Sequence, residues 1–83
     1  MTFINSDLLS KLKNRDPETV EQTVKTHTSQ IYKACLGLGF NEIEADDVTQ
    51  SVWLTFFDIL PKFQGQSSVR TFLFGILYNK ASE

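Results

Sequence analysis

Two prolines stand in the chain, and both fall at the edges of apolar stripes of helical period rather than inside them. Proline lacks an N–H and clashes within a helix, so Pro17 and Pro61 mark where helices start and stop. Asp16-Pro17-Glu18 is a start signal: a side-chain acceptor at the N-cap, proline at the first helical position and an acid in the first turn. Val20, Val24, His27, Ile31 and Cys35 then recur at steps of three or four, a single buried stripe running to "LGLG", whose glycines can end a helix. Pro61 closes a second long segment. It opens at Asn41, which forms a variant capping box with Glu44, and it carries Val48, Val52, Phe56 and Ile59 inward, widened by Trp53 and Leu60.

Two shorter helices complete the pattern. Asn5 or Ser6 caps "DLLSKLKN", in which Leu8, Leu9 and Leu12 share a side, and Ser67 or Ser68 caps a last helix with Val69, Phe72, Leu73 and Ile76 on one face, running to Glu83. No alternating β-branched run, internal repeat or linker occurs. The expectation is an all-α fold, a compact bundle of about four helices in a single domain spanning residues 1–83.

An 83-residue chain is small for a domain, yet 41% of it is hydrophobic and seven residues are Phe, enough apolar surface for a core. The single cysteine excludes an internal disulfide and has no partners at zinc spacing, which suits a reducing cytoplasm. Apolar runs are far shorter than the roughly 20 residues that cross a bilayer, and the N-terminus lacks the order of a secretory signal. A soluble, cytoplasmic protein without membrane contact is expected. No metal site, cofactor motif, phosphate loop or Ser–His–Asp pattern is present, so nothing in the residues supports an enzyme. The net charge of −2 argues against holding nucleic acid by bulk electrostatics, leaving only local contacts.

What remains is outward-facing. Asp47, Ser51, Leu54 and Asp58 fall on the side of the third helix opposite Val52 and Phe56, with Gln50 at the edge. Acids near a helix N-terminus suit its dipole and any surface helix shows a polar face, so helix start and docking face are both open readings. Phe74 and Tyr78, with Arg70 beside them, project from the last helix and either stack bases or pack within the bundle or on a partner. Lys62, Gln64, Gln66, Ser67 and Ser68 concentrate in the loop between the last two helices.

The order of these signals resembles region 2 of the extracytoplasmic-function sigma factors, promoter-reading subunits of bacterial RNA polymerase. "NRDPETVEQTVKTHTSQIYKAC" is similar to that family's first-helix exit and long second helix. "EADDVTQSVWLTFFDIL" resembles its Ala-Glu-Asp-Leu-Val-Gln-Glu-Val-Phe signature, and "KFQGQSSVRTFLFGILYNKA" resembles its loop and last helix, with Phe63, Gly65, Ser67, Thr71, Phe72, Leu73, Ile76 and Asn79 in the matching places. The resemblance implies a polymerase contact, on the β′ clamp helices, by Asp47, Gln50, Ser51 and Leu54. It implies contacts with the non-template strand of the promoter −10 element by Lys62, Phe63, Gln64, Gln66, Ser67, Ser68, Arg70, Asn79 and Lys80. An anti-sigma factor is a further partner class that the family brings with it.

The match also has departures. Ser51 stands where the family has Glu, and Gly75 and Tyr78 stand where its last helix often carries Arg. These residues contain no second domain to read the −35 element. The alternative reading is a small helical protein-interaction module, regulatory in role, with a sigma-like scaffold that does not bind DNA.

Overall fold

Each helix begins where a short polar side chain takes up its free N–H groups. In the computed structural model, which describes residues 3–83, Asn5 opens α1 (Ser6–Lys13), its Oδ1 accepting from the backbone of Asp7 at 2.8 Å and Leu8 at 3.3 Å. Asp16 opens α2 (Pro17–Gly37) by accepting from both the N–H and the hydroxyl of Thr19, and the Thr19 hydroxyl above all holds the Asp16 carboxyl below its ordinary pKa. The box predicted at α3 (Glu42–Ile59) is reciprocal: Glu44 N–H donates to Asn41 Oδ1 at 2.8 Å, and Asn41 N–H to Glu44 Oε1 at 2.9 Å. Ser68 caps α4 (Val69–Ala81) through the N–H of Thr71.

The breakers also act as expected. Pro61 sits in a 3₁₀ turn, Leu60–Lys62, that terminates α3. After α2 the chain reverses at Gly39, whose φ of 101° belongs to the left-handed region. Arg15 takes the same region with φ 57° to leave α1, an uncommon conformation for a side chain of its size. It is held there by its guanidinium, which donates to the Phe57 carbonyl at 2.8 Å and lies 4.7 Å above the Phe57 ring.

α3 is the centre of the bundle and packs against both α2 and α4. Leu12, Ile31, Cys35, Ala45, Val52, Phe56, Leu60, Leu73 and Leu77 are all but sealed from solvent. Trp53 closes the α2 side, its indole N–H donating to the Thr28 hydroxyl at 3.0 Å. Among the described residues there is no strand, and no helix is long and apolar enough to cross a membrane.

Several expectations of detail are corrected. On α2 only Ile31 and Cys35 of the predicted stripe are fully buried; Val20, Val24 and His27 are half-covered, and Thr23 is buried instead. A helix of 21 residues runs roughly 32 Å, close to the longest dimension of the molecule, 36 Å, and Val20 and Val24 pack at the edge of the core. On α3 the inward line is Ala45, Thr49, Val52, Phe56 and Leu60, with Val48 and Ile59 at its margin. Small side chains at 45 and 49 let a neighbouring helix approach closely. α4 stops at Ala81 instead of continuing to Glu83, and the Ser82 hydroxyl turns back to the carbonyls of Tyr78 and Asn79.

Candidate functional site

The outer side of α3 is a ridge. Asp47, Gln50 and Leu54 are exposed along it, Ser51 is half-buried, and Leu54 stands 74% exposed with Ile43, at 75%, one turn before Asp47. The two sides of the ridge differ. Asp47 and Ser51 border a recess shared with Lys80, whereas Gln50 opens toward α2 beside Tyr32, Thr28 and Lys25. α3 holds five carboxylates, Glu42, Glu44, Asp46, Asp47 and Asp58, and no Lys or Arg. None of the five belongs to the ion pairs found among the described residues, Lys11–Asp7 and Lys25–Glu21. Their field is felt nearby: burial chiefly, then Glu42 and Asp46, push the Tyr32 phenol above its ordinary pKa. The ridge thus offers carboxylate acceptors, an amide and two aliphatic side chains to a cationic, helical partner.

The loop from Lys62 to Ser68 is a built structure. Gly65 has φ 76° and is buried, and a Cβ there would lie 2.9 Å from Ile4 Cγ2 and 3.1 Å from Leu9 Cδ2. Only glycine combines that dihedral with so close an approach. The segment before α1 is laced to the loop by Ile4 N–H, which donates to the Ser67 carbonyl at 3.0 Å. Gln66 Oε1 accepts from Gln64 N–H at 3.2 Å, and the Ser67 hydroxyl donates to the Ser68 carbonyl. Lys62, Gln64 and Gln66 are exposed; Ser67 and Ser68 are half-buried.

Phe63, implied as a strand contact by the resemblance, is the aromatic that backs this loop. Its ring is buried and stacked on Phe72, 4.0 Å between centroids and 5° from parallel, so it backs the loop from inside.

The predicted contact residues of α4 divide. Asn79 lies on an exposed stripe with Thr71 and Gly75 that begins at the loop, since steps of four keep one helix face. Asn79 lies about 16 Å along that helix from Ser68. Lys80 is turned away from the stripe, into the recess beside Asp47. Arg70 is exposed; its Nε donates to Gln30 Oε1 at 3.0 Å and its guanidinium lies 4.9 Å above the Phe74 ring.

Two cations near the loop escaped sequence reasoning. Lys13 Nζ donates to the Pro61 carbonyl at 3.4 Å, next to Lys62, and Arg15 holds Phe57 in the last turn of α3. No local pattern marks them, because that proximity exists only once α1 has folded onto the end of α3.

The remaining chemistry is sparse. Cys35 is buried, which pushes its thiol pKa up against the opposing hydroxyl of Thr49. His27 lies in a recess with Ile4, Asn5, Ser68 and Arg70; its Nδ1 is buried without a hydrogen-bond partner, and burial, then Arg70, lower its pKa. No group of three or more His, Cys, Asp or Glu side chains among the described residues is placed to hold a metal ion.

Residues 23–83, from the middle of α2 through the ridge, the loop and α4, match the family described as Sigma-70 region 2. No curated protein and no solved structure matches the chain significantly.

Proposed function

The chain belongs to the sigma-70 region 2 family, and from that premise we propose that it is the polymerase-docking and −10-reading part of a sigma factor of the extracytoplasmic-function type. Family membership makes it a sigma factor domain, with a role in promoter recognition and with RNA polymerase and promoter DNA as partners. The match over residues 23–83 is the observation that carries the reading.

In this proposal Asp47 and Gln50 grip the β′ clamp helices from the two sides of the α3 ridge, and Leu54 packs between them. Ser51 adds a hydroxyl where a carboxylate is the family habit. The loop holds an unstacked base of the non-template strand by edge hydrogen bonds from Gln64, Gln66, Ser67 and Ser68. Phe63, stacked on Phe72, keeps the loop's floor rigid, Lys62 and Arg70 add cations at its two ends, and Asn79 adds an amide farther along α4. Lys80 closes the recess beside Asp47 and serves the α3 side. The role is binding, without catalysis or cofactor.

The exposed positions of the loop and stripe support strand binding, and the net charge of −2 favours the second reading, a protein-interaction module that has lost DNA. Single-stranded oligonucleotides carrying varied −10 sequences separate the two. The sigma reading expects affinities that differ with sequence and fall steeply with salt. Negligible, equal binding to all of them assigns the chain to the second reading.

A further inference from the structure

The segment before α1 straps the loop to the rest of the bundle. Ile4 N–H donates to the Ser67 carbonyl at 3.0 Å, and the Ile4 side chain lies so close to Gly65 that a Cβ there would stand 2.9 Å from it. This strap precedes the residues that match the family, 23–83. Ile4 and Asn5 share a recess with His27 of α2 and with Ser68 and Arg70 at the start of α4. Neither the ridge nor the loop, as read above, makes use of the histidine.

The recess suits a neutral imidazole and not a charged one. His27 Nδ1 is buried without a hydrogen-bond partner. A neutral ring leaves one nitrogen as an idle acceptor at modest cost, whereas imidazolium carries N–H on both nitrogens and needs an acceptor for each. The acceptors near it are in use: Asn5 Oδ1 takes the N–H groups of Asp7 and Leu8, the Ser68 hydroxyl takes that of Thr71, and the Ser67 carbonyl takes that of Ile4. No carboxylate offsets the charge. α1 contributes Leu8 to the recess and α2 contributes Thr23, and Arg70 from α4 is the one charged side chain lining it. Gln30 Oε1 accepts from Arg70 Nε at 3.0 Å and holds that cation in place. The lowered pKa of His27, set by burial and then by Arg70, agrees with this geometry.

We propose that His27 is a proton-operated latch on the loop: protonation of its imidazole unlaces the strap, breaking the bond between Ile4 and Ser67 and lifting Ile4 from Gly65. The strap yields first because only a short segment has to move, whereas Asn5 and Ser68 each hold the start of a helix. Opening frees the Ser67 carbonyl and lets water reach the imidazolium. The loop Lys62–Ser68 then loses the wall that fixes Gly65 and becomes less ordered. Its consequence for strand binding, a weaker grip in mildly acidic conditions, rests on the nucleic-acid reading of the loop; the unlacing itself does not.

The test is amide hydrogen exchange of the full chain by NMR between about pH 7.5 and about pH 5.5, expressed as protection factors so that the intrinsic pH dependence of exchange cancels. The Ile4 protection factor is expected to fall with pH, by up to about tenfold at the acid end, the most that a group of ordinary pKa 6.5 contributes one unit below it. Protection of the Val52 amide in α3 is expected to hold. In His27→Gln the Ile4 factor stays level, and in Arg70→Gln, which removes the like charge, it falls less than in the wild type; Trp53 emission checks that both variants fold. Constant Ile4 protection in the wild type overturns the latch. An equal fall in His27→Gln overturns it by assigning the effect to carboxylates, and a parallel loss at Val52 overturns it by showing global unfolding. A single-stranded −10 oligonucleotide separates latch from loop. Binding that weakens at pH 5.5 in the wild type and not in His27→Gln supports both, whereas unlacing in a chain that binds no oligonucleotide at either pH keeps the latch and removes the strand reading.

Discussion

The ring of Phe63 stacks on the ring of Phe72, 4.0 Å between centroids and 5° from parallel, and this pair joins the loop after α3 to the first turn of α4. A loop residue thereby becomes part of the core, in contact with the helix whose start it positions. Phe63→Ala is expected to cost about 3–5 kcal/mol of stability, seen as a lower urea midpoint followed by Trp53 emission. Phe63→Leu keeps much of the apolar volume and costs less.

Gly65 is the second fixed point of the loop. Gly65→Ala places a Cβ against Ile4 and Leu9 at a left-handed φ, for which the conformational penalty alone is about 1–2 kcal/mol. The variant is expected to melt earlier and to lose hydrogen-exchange protection at the Ile4 amide, whose bond to Ser67 is the link nearest the clash. Protection at the α3 amides is expected to persist until global unfolding.

Most of this architecture was legible in the order of caps and breakers. Asn5, Asp16 with Pro17, Asn41 with Glu44, and Ser68 each act within three or four residues of themselves, so their meaning survives without knowledge of the fold. Phe63 did not read as core because its partner Phe72 lies across a turn, and a polar loop of that composition is ordinarily solvated. Leu77 went unassigned for a related reason: α4 is apolar on several sides, and only packing against α3 decides which of Leu73, Ile76, Leu77 and Tyr78 goes in. Thr49 is buried against the usual preference of its type, since a close helix approach favours a small side chain over a long apolar one. The ridge residues Asp47, Gln50 and Leu54 were read correctly as outward because a helix period with one full side leaves the other free.

The capping box at α3 has a simple quantitative consequence. Asn41→Ala removes the acceptor of the Glu44 N–H while the backbone N–H at position 41 keeps its bond to the Glu44 carboxylate; the loss of the cap is expected to cost about 1 kcal/mol, lowering the thermal midpoint without shifting Trp53 emission in the native state. Glu44→Ala removes one of the two bonds and also a negative charge near the positive end of the dipole, so a loss of similar sign follows.

His27 gives the fold a pH dependence of defined sign. Burial, then Arg70, hold its pKa below the usual 6.5, so as pH falls through that value the unfolded chain takes up a proton before the folded one. Stability from this group is therefore complete above the unfolded pKa and declines as pH drops toward the folded pKa. Between about pH 7.5 and about pH 5.5 the wild type is expected to lose more stability than His27→Gln, the difference isolating this residue from the carboxylates. Equal pH profiles for the two proteins would show that His27 titrates as freely folded as unfolded.

The proposed docking of the α3 ridge on RNA polymerase is tested most directly by the affinity of the chain for isolated β′ clamp helices, measured for the wild type, Asp47→Ala and Gln50→Ala. Loss of a hydrogen bond to a charged partner is worth about 1.5–3 kcal/mol, so each variant is predicted to bind roughly tenfold or more weakly, with Trp53 emission unchanged and Asp58→Ala close to wild type. Unaltered affinity in folded Asp47→Ala and Gln50→Ala proteins would contradict the docking assignment.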